Sequence, residues 1–426
     1  MQHPPPAVAA ARSLVVGMIL YGDVTNDSRV IREARSLANA GHHVILTCLA
    51  AGPSMAAVLG PGVDIRVVPL HSSVARPGGE SPFLAGRGGP LSRRVAKATW
   101  LVRYRANLRA WGRRAIATVG EADAWHAHDF TGLLAIAGRL PPQVPVVYDS
   151  HELFLDYGSA ARLPGPARAL LASEERRLFR RVTAVVTVNP GIASVLAARY
   201  PPARPIVVRN CPPRAGAPVP SSDRLRTAAG IPRGRQVILF HGAITADRGI
   251  EQVAAVLERP AFGDVHLVLL GYGDARDTWR KRAADGSLAG RLHVLDAVPP
   301  GEVLTWVSSA DVALVLIQPT DLNLRLSTPN KLFEAIAAGV PVLASDLPEI
   351  ARVVLGDPAG PLGELCDPRD EDAIAGALGR LLGLDPAARS ALRARCLTAA
   401  RERLNWEREV AALLEVYATI GTSPRR

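Results

Sequence analysis

Short apolar segments rich in β-branched residues alternate with amphipathic segments along most of the chain. Residues 13–20 form a nearly continuous apolar run, residues 29–40 repeat apolar side chains at helical spacing, and residues 43–49 are apolar again. Parallel strands that are buried on both faces have such continuous runs, and a helix connects each strand to the next. The pattern therefore predicts an α/β protein built from βαβ units.

The chain is long enough for two domains of this kind. The same criterion predicts strands at 65–70, 124–128, 144–148, 184–188 and 206–209, and a second series at 237–240, 266–270, 293–295, 311–317 and 341–344. Between the two series, residues 211–235 are rich in Pro, Gly and Ser and have no periodic apolar face. We predict two Rossmann-like domains, 1–210 and 236–404, with a linker at 211–235 and a long amphipathic helix at 407–420.

Positive charge is concentrated in the first half of the chain. The formal net charge is +11, and residues 1–200 hold 23 basic and 13 acidic residues. A basic half favours a phosphate-bearing substrate, an anionic membrane or a nucleic acid, although an arginine-rich composition alone would also produce it. The aromatic fraction of 5% and the lack of interleaved aromatic and basic residues argue against nucleic acid.

The four cysteines are scattered and show neither CxxC nor metal-ligand spacing, which is typical of a reducing compartment. No apolar run approaches the roughly 18–20 residues that a membrane-spanning helix needs. The first residues carry no charged segment typical of a signal peptide. We therefore expect a cytoplasmic protein.

Polar side chains follow two predicted strands of the first domain. Residues 126–129 (HAHD) end one strand, and residues 149–152 (DSHE) follow the next. Because ligands bind beyond the carboxyl ends of parallel strands, we expect His151 to hydrogen-bond a hydroxyl group or to take part in proton movement. We expect no metal ion at His126 and His128, because no other ligands have matching spacing and the two side chains are expected on opposite faces of the strand.

Polar residues also follow the first predicted strand. Asp27 or Ser28 is suited to capping the next helix, and a role in substrate binding is the alternative for this segment. The turn holds a single glycine, Gly22, and no GxGxxG motif, so a nicotinamide or flavin dinucleotide site is poorly supported.

In the second domain, Gly242 and Arg248 follow the first predicted strand, and Gly271 and Gly273 follow the next. Glycine lets a backbone approach a phosphate closely, and arginine neutralises the charge of the phosphate. Each of these signals is weak alone, because ordinary turns contain the same residues.

The segment 326–349 is the most informative one. We expect Thr328 to cap a helix whose first turn contains Pro329, so that free N–H groups and Lys331 face a diphosphate. Glu334 lies about one turn further and is suited to accepting hydrogen bonds from ribose hydroxyls. An ordinary capped helix is the alternative explanation of the same residues.

Residues 93–114 hold eight basic residues and no acidic one. As a helix, this segment places Trp100, Leu101, Tyr104, Leu108 and Trp111 on one face and Arg103, Arg109, Arg113 and Arg114 opposite. Either the helix lies on an anionic membrane, or its apolar stripe packs on the first sheet and its arginines face solvent.

Five motifs in this order resemble glycosyltransferase family 4: residues 26–35 (NDSRVIREAR), 126–129 (HAHD), 148–154 (YDSHELF), 248–249 (RG) and 330–341 (NKLFEAIAAGVP). The resemblance implies the GT-B fold, in which two Rossmann-like domains face each other across a cleft and the last helix, here 405–421, crosses back to the first domain. It also implies a metal-independent enzyme without a cofactor that transfers a sugar, with retention of configuration, from a nucleotide-sugar donor. The acceptor is a glycan, a lipid-linked molecule or a small molecule.

The resemblance assigns roles to single residues. Glu334 corresponds to the family glutamate that holds the donor ribose, Arg248 stands where a diphosphate-binding lysine is usual, and His151 corresponds to the N-domain histidine that contacts the reacting sugar. The predicted catalytic residues are His151, Arg248 and Lys331. The predicted donor-binding residues are Gly242, Arg248, Gly271, Gly273, Ser327, Thr328, Asn330, Lys331 and Glu334. The predicted acceptor-side residues are Asp27, Arg29, His128, Asp129, Asp149, His151 and Glu152.

The sequence departs from the family pattern at two positions. Leu326 occupies the place of the first of two glutamates that the family often has, and Ala243 occupies the place of an arginine. Arg248 and Lys331 must then neutralise more of the donor's charge, and the donor sugar stays undefined. The alternatives are a GT-B nucleotide-sugar epimerase and a non-catalytic protein that binds nucleotide sugars or nucleic acid. A lipid-linked acceptor would place the protein peripherally at the inner face of the membrane.

Overall fold

The computed structural model describes residues 12–70, 90–214 and 223–422, with side chains of the helix that begins at Pro90 described from Arg103 onward. The described residues form two compact units. The first comprises residues up to Val188, Ile192–Val208 and the chain from Val410, and the second comprises Asn189–Gly191 and Arg209–Glu409.

A parallel sheet forms the centre of the first unit. Its described strands are β1 (Val15–Ile19), β2 (His43–Cys48), β3 (Val63–Val67), β4 (Ala124–His128), β5 (Val146–Ser150), β6 (Ala184–Thr187) and β7 (Ile206–Val207). They lie in the order β3-β2-β1-β4-β5-β6-β7. This is a doubly wound order, and it reverses between β1 and β4, where ligands of such sheets bind.

The helices of the first unit connect these strands. They are α1 (Ser28–Asn39), α2 (Met55–Leu59), α3 (Pro90–Val119), α4 (Asp129–Ile136), α5 (Gly158–Ala161), α6 (Gly165–Phe179) and α7 (Pro190–Arg199). Strand β4 is buried along its whole length, including its two histidines, as a central strand of a parallel sheet covered on both faces is.

The second unit contains another parallel sheet. Its described strands are β8 (Gln236–Ala243), β9 (Val265–Tyr272), β10 (Leu292–Asp296), β11 (Val312–Val315), β12 (Val342–Ser345) and β13 (Gly363–Cys366). Their order, β10-β9-β8-β11-β12-β13, repeats the doubly wound pattern and reverses between β8 and β11. The predicted α/β class with parallel sheets is therefore confirmed.

Ten helices accompany the described part of this sheet. They are α8 (Arg224–Ala229), α9 (Ile250–Leu257), α10 (Arg276–Asp285), α11 (Val303–Val307), α12 (Leu322–Arg325), α13 (Asn330–Ala337), α14 (Pro348–Val354), α15 (Glu371–Leu382), α16 (Pro386–Glu402) and α17 (Trp406–Thr422). The residues of α17 from Val410 onward belong to the first unit. Among the described helices, none has the length and apolarity needed to span a membrane.

Three differences from the predicted elements have physical causes. Within the predicted linker, α8 buries Leu225 completely, and one turn and a half of helix is too short to show a periodic pattern. Strand β13 was not predicted because its sequence, GELC, is not continuously apolar. Strands β5, β8 and β9 continue past their predicted ends, because the backbone of their last residues still pairs with the neighbouring strand, as Ala243 does with Tyr272.

The described half of α3 packs inside the first unit. Leu108 and Trp111 are buried, and the Trp111 indole donates a hydrogen bond to the carbonyl of Val68 (2.6 Å). The Arg109 side chain is 40% exposed, as expected, and its guanidinium also pairs with the buried Glu174 of α6 (2.6 Å). The packing interpretation therefore holds for this half, whereas the side chains of Trp100 and Leu101 lie outside the described residues.

Candidate functional site

The carboxyl ends of β8 and β9 meet at two glycines. Gly242 and Gly271 are partners in the parallel register, and a Cβ atom on Gly271 would lie 1.9 Å from the carbonyl oxygen of Gly242. Gly242 itself has a φ of +103°, which L side chains rarely adopt. The next predicted residue, Gly273, follows directly after β9. The neighbouring backbone therefore requires glycine at position 271, whereas at Gly242 the only described neighbour of a Cβ within 4 Å would be the Lys331 side chain.

Lys331 lies beside this glycine corner without a hydrogen-bond partner among the described residues. Its Nζ is 3.5 Å from the centre of the Phe240 ring, and its Cε is 3.9 Å from where a Cβ of Gly242 would be. Burial lowers the pKa of Lys331 well below its usual value, the nearby charge of Arg248 lowers it further, and Glu334 acts in the opposite direction. A buried amine without such a partner is suited to an anionic ligand.

Arg248 lies in the turn between β8 and α9. Its Nε donates to the hydroxyl of Thr245 (3.3 Å), and the guanidinium is partly exposed. The next residue, Gly249, is the N-cap of α9 in a left-handed conformation. A Cβ there would lie 2.6 Å from the Cβ of Leu316, so the turn that presents Arg248 requires glycine.

The predicted cap of α13 is wrong. The helix begins at Asn330, its N-cap is Pro329, and no side chain caps it. The Thr328 hydroxyl instead accepts a hydrogen bond from Asn189 (3.2 Å), which also donates to the carbonyl of Leu326 (2.7 Å). The first N–H groups of the helix are consequently not occupied by a side-chain cap, as an anion site at a helix N-terminus requires.

Two asparagines that sequence reasoning missed support this segment. Asn189 follows β6 and donates to the segment between α12 and α13 as described above, and the amide of Asn210 donates to the Asn330 side chain (2.9 Å). Ser327, another predicted donor-side residue, donates its hydroxyl to the carbonyl of Leu324 (3.0 Å). Both asparagines are polar residues just past the carboxyl end of a short strand, which is the signal that could have found them.

Glu334 points to the same edge of the second sheet. Its Oε2 is 3.0 Å from Nε2 of His241, the sixth residue of β8, and the Glu334 side chain is 19% exposed. His241 is almost fully buried and fixes the orientation of the carboxylate. Sequence reasoning did not assign His241 to the site, although the residue directly precedes Gly242.

In the first unit, the predicted residues Arg29 and Asp149 form a buried ion pair. Nε and Nη2 of Arg29 each lie 2.7 Å from one oxygen of Asp149, and Nη1 donates to the carbonyl of Val208 (2.6 Å). Burial raises the pKa of Asp149 in isolation, but the charge of Arg29 and then that of His151 outweigh it and hold this pKa well below its usual value. Both members of the pair are inaccessible to solvent.

The expected orientation of His126 and His128 is wrong. The two rings stack on one face of β4, with their centres 4.6 Å apart, because residues two apart in a strand share a face. Nδ1 of His126 hydrogen-bonds the hydroxyl of Tyr417 in α17 (2.9 Å). Burial lowers the pKa of His128, and the neighbouring His126 lowers it further.

Four buried side chains around this stack, Glu33, His126, His128 and Asp149, have potential ligand atoms within 4.8 Å of one another. Arg29 already lies among them, since it pairs with Asp149 and is 3.1 Å from Glu33. The guanidinium supplies the positive charge that a metal ion would bring, so we interpret the group as an ion-pair network.

His151 and Asp129 form the exposed edge of this network. The His151 ring lies 2.8 Å from Asp149 through Nε2 and 3.4 Å from Asp129 through Nδ1. Their side chains are 19% and 30% exposed. Asp129 has a φ of +56°, which is uncommon for a non-glycine residue, and its other oxygen accepts from the His151 backbone N–H (3.2 Å).

Two other predicted acceptor-side residues have structural partners. Asp27 is the N-cap of α1, and its carboxylate accepts from the backbone N–H of Val30 (3.1 Å), as the capping interpretation predicted. The carbonyl of Glu152 accepts from the hydroxyl of Ser150 (2.8 Å), which shapes the turn after β5.

Two family models match the chain. The model described as "Glycosyl transferase 4-like domain" matches residues 28–212, and the one described as "Glycosyl transferases group 1" matches residues 235–383. Together they account for most of the chain.

Curated relatives match about half of the sequence. A D-inositol 3-phosphate glycosyltransferase of Xylanimonas cellulosilytica is 34% identical over 211 residues, which are 47% of this chain and 47% of the relative. A phosphatidyl-myo-inositol mannosyltransferase of Mycobacterium leprae is 30% identical over 224 residues, 49% of this chain and 53% of the relative. The chain thus spans about half the length of the curated relatives it matches.

Solved structures resemble the whole chain. Sucrose-phosphate synthase from Thermosynechococcus elongatus has a TM-score of 0.70 at 17% identity, over 96% of this chain and 99% of that one. Anabaena HepE in complex with UDP-glucose has a TM-score of 0.69 at 14% identity, over 96% and 100%. At such identities the likeness establishes a shared fold.

Proposed function

Because the chain belongs to glycosyltransferase family 4 and has the GT-B fold, we propose that it transfers a sugar from a nucleotide-sugar donor to an acceptor with retention of anomeric configuration. One observation carries this proposal: Gly242, Lys331 and Glu334 meet at the carboxyl end of β8, beside the uncapped start of α13. This is the switch point of the second sheet, where doubly wound sheets bind nucleotides.

The chemistry of these groups matches the parts of such a donor. The N–H groups of α13 and the Lys331 amine are suited to a diphosphate, with Arg248 as a second cation. The Glu334 carboxylate, which His241 orients, is suited to ribose hydroxyls. A diphosphate stabilises the buried amine by restoring its positive charge, and the amine in turn stabilises the charge that develops on the leaving oxygen.

Catalysis on this proposal is electrostatic. Removing one preorganised contact to a developing charge typically slows turnover by about 100-fold or more. Protein cations take the place that a divalent metal has in other phosphate-transfer sites, so neither a metal nor another cofactor is part of the proposal.

We propose that the acceptor binds at the carboxyl ends of β4 and β5, where His151 and Asp129 are partly exposed. The two relatives named above act, by their names, on inositol-containing molecules, which supports a hydroxyl of a polyol or sugar as the acceptor. All four cysteines are free and buried, which supports a cytoplasmic location. Peripheral contact with a membrane stays a prediction.

Thermal unfolding with a panel of nucleoside diphosphates and nucleotide sugars, with and without EDTA, tests the donor site. A ligand at 100 times its dissociation constant stabilises the folded state by about 2.7 kcal/mol. We expect one base to raise the unfolding temperature equally with and without EDTA. No shift with any nucleotide would contradict the donor proposal, and a shift that EDTA abolishes would contradict metal independence.

Glu334→Gln is the matched variant for this experiment. It replaces a charged hydrogen-bond acceptor, so we expect about 10-fold weaker donor binding with little change in unfolding temperature. Glu371→Gln, on the exposed first turn of α15, serves as the control and should bind the donor like the wild type. Equal affinity of both variants would remove Glu334 from the site.

A turnover assay separates the proposal from its alternatives. A transferase forms a glycosylated acceptor, an epimerase forms a new nucleotide sugar without acceptor, and a binding protein forms neither. Mass spectrometry of the reaction with the preferred donor distinguishes the three outcomes.

A further inference from the structure

His151 lies between two carboxylates at the end of β5. Its Nε2 is 2.8 Å from Oδ2 of Asp149, and its Nδ1 is 3.4 Å from Oδ2 of Asp129. A neutral imidazole carries only one N–H, whereas an imidazolium donates to Asp149 through Nε2 and places a second N–H, on Nδ1, within ion-pair distance of Asp129. The geometry therefore suits a doubly protonated ring.

Asp149 is held rigidly in place. Arg29 of α1 binds both of its oxygens, and the carbonyl of Val208 anchors the same guanidinium. Neither member of the pair reaches solvent. The carboxylate that faces Nε2 of His151 thus stays in one orientation and stays ionised.

The charged groups around His151 have opposing effects on its pKa. Burial and the charge of Arg29 disfavour the protonated ring, but Asp129 and Asp149 outweigh them and raise the pKa of His151 to about 10. His128 of β4 lies 3.2 Å from Nε2, and its own pKa is lowered, so it adds no charge at neutral pH.

The two N–H groups of His151 differ in availability. Nε2 is close to the buried Asp149, whereas the distance from Nδ1 to Asp129 exceeds the roughly 2.7–3.2 Å of an ordinary N–H···O bond. Asp129 is also the more exposed of the two carboxylates. An oxygen of a bound molecule can therefore compete for Nδ1–H.

We propose that Asp149 is a positioning residue that keeps His151 doubly protonated, so that Nδ1–H donates a charged hydrogen bond to an oxygen of the bound molecule. On this view His151 does not remove the proton of the acceptor hydroxyl at neutral pH, because both ring nitrogens already carry protons. The identity of the bound oxygen rests on the proposed function, but the charge of the ring does not.

Histidine-selective nitrogen-15 NMR tests the proposal on the full chain. The chain has 10 histidines, and the His151 signals are assigned by their loss in His151→Gln. We expect wild-type His151 to remain an imidazolium to about pH 9. In Asp149→Asn we expect its pKa to fall by about two units or more toward the ordinary value of about 6.5.

Asp156→Asn is the matched control, because it removes another largely buried carboxylate of the same unit, which pairs with Arg168 and Arg199. It should leave the titration of His151 unchanged. A wild-type ring that titrates near pH 6.5 would overturn the proposal, as would an Asp149→Asn ring that titrates like the wild type. If Asp149→Asn does not fold, the wild-type titration still tests the proposal. Asp129→Asn is a second variant, at a partly exposed carboxylate, and it should also lower the pKa of His151.

Turnover gives a second readout. Between about pH 7 and pH 9, we expect deprotonation of His151 to cause no loss of kcat/KM in the wild type. Asp149→Asn should lose about 10-fold or more over the same range, because its ring becomes neutral. A protein that turns over no nucleotide sugar would refute the proposed function, and the NMR titration would still decide the charge of His151.

Discussion

At the scale of single residues, the second unit buries a lysine where an apolar side chain would be more stable. Lys331 has no hydrogen-bond partner among the described residues, and burial followed by the charge of Arg248 lowers its pKa well below the usual value. Because the folded state disfavours the protonated amine, it is destabilised at every pH below the pKa that this lysine has in the unfolded chain. Such a loss of folding stability is expected at a residue whose role is to bind a ligand.

Replacing Lys331 with methionine should therefore have two opposite effects. We expect a higher free energy of unfolding without ligand, by about 1 kcal/mol or more at neutral pH, because no amine has to be desolvated. We also expect at least 10-fold weaker binding of the preferred nucleoside diphosphate. Urea unfolding and calorimetric titration measure the two effects.

The pH dependence of this stability difference is specific. The lysine penalty is largest at low pH and disappears as the pH rises toward the unfolded pKa of about 10.4, so wild type and Lys331→Met should converge there. Lys281→Met, on the exposed face of α10, should match the wild type in stability and in binding. A constant difference across this pH range would contradict the burial of the amine.

At the scale of elements, the approach of α3 to α4 depends on one glycine. A Cβ atom on Gly112 would lie 2.0 Å from the carbonyl oxygen of Ala135, so even alanine does not fit without moving a helix. Helix α4 begins with Asp129, directly after β4. The fit of these two helices therefore also supports the start of α4, where Asp129 faces His151.

Gly112→Ala should lower the free energy of unfolding by about 1–3 kcal/mol, the usual range for overpacking. Urea unfolding is the measurement. Gly379→Ala is the control: Gly379 lies in α15 with nothing within 4 Å of its Cβ position, and alanine there should be neutral or stabilise the protein by up to about 1 kcal/mol. Equal effects of both substitutions would show that the helices can separate without cost.

At the scale of the whole molecule, the first unit is assembled from distant parts of the sequence. Its last part begins at Val410, and α17 buries Leu413 and Tyr417 completely. The Tyr417 hydroxyl also hydrogen-bonds Nδ1 of His126, which lies 291 residues earlier in the chain. The first half of the sequence alone therefore lacks part of its own core.

A chain that ends at Glu409 should lose cooperative unfolding of the first unit, because apolar partners of α17 become exposed and His126 loses its hydrogen bond. Limited proteolysis followed by mass spectrometry should find new cleavage sites within residues 12–208. A chain that ends at Thr422 should resist proteolysis like the full protein. Identical digestion of the two truncated chains would contradict this role of α17.

The sequence by itself determined the fold class and most strand positions, because strands of a parallel sheet are buried on both faces and are therefore mostly apolar. It also predicted Gly242, Lys331 and Glu334 as a donor site, and the structure brings these residues together, although their ligand stays a prediction. Strand ends such as Asp149 were displaced by one or two residues, because backbone pairing continues where hydrophobicity stops.

Only the tertiary structure decided the partners of the buried polar groups. Arg29 meets Asp149 across 120 residues, and His241 meets Glu334 across 93 residues. The spacing of residues along the sequence does not predict such pairs, because they depend on which strands become neighbours in the sheet and which helices cover them. The charge of His151 belongs to this second class, because it depends on carboxylates that two different strands bring to one edge of the sheet.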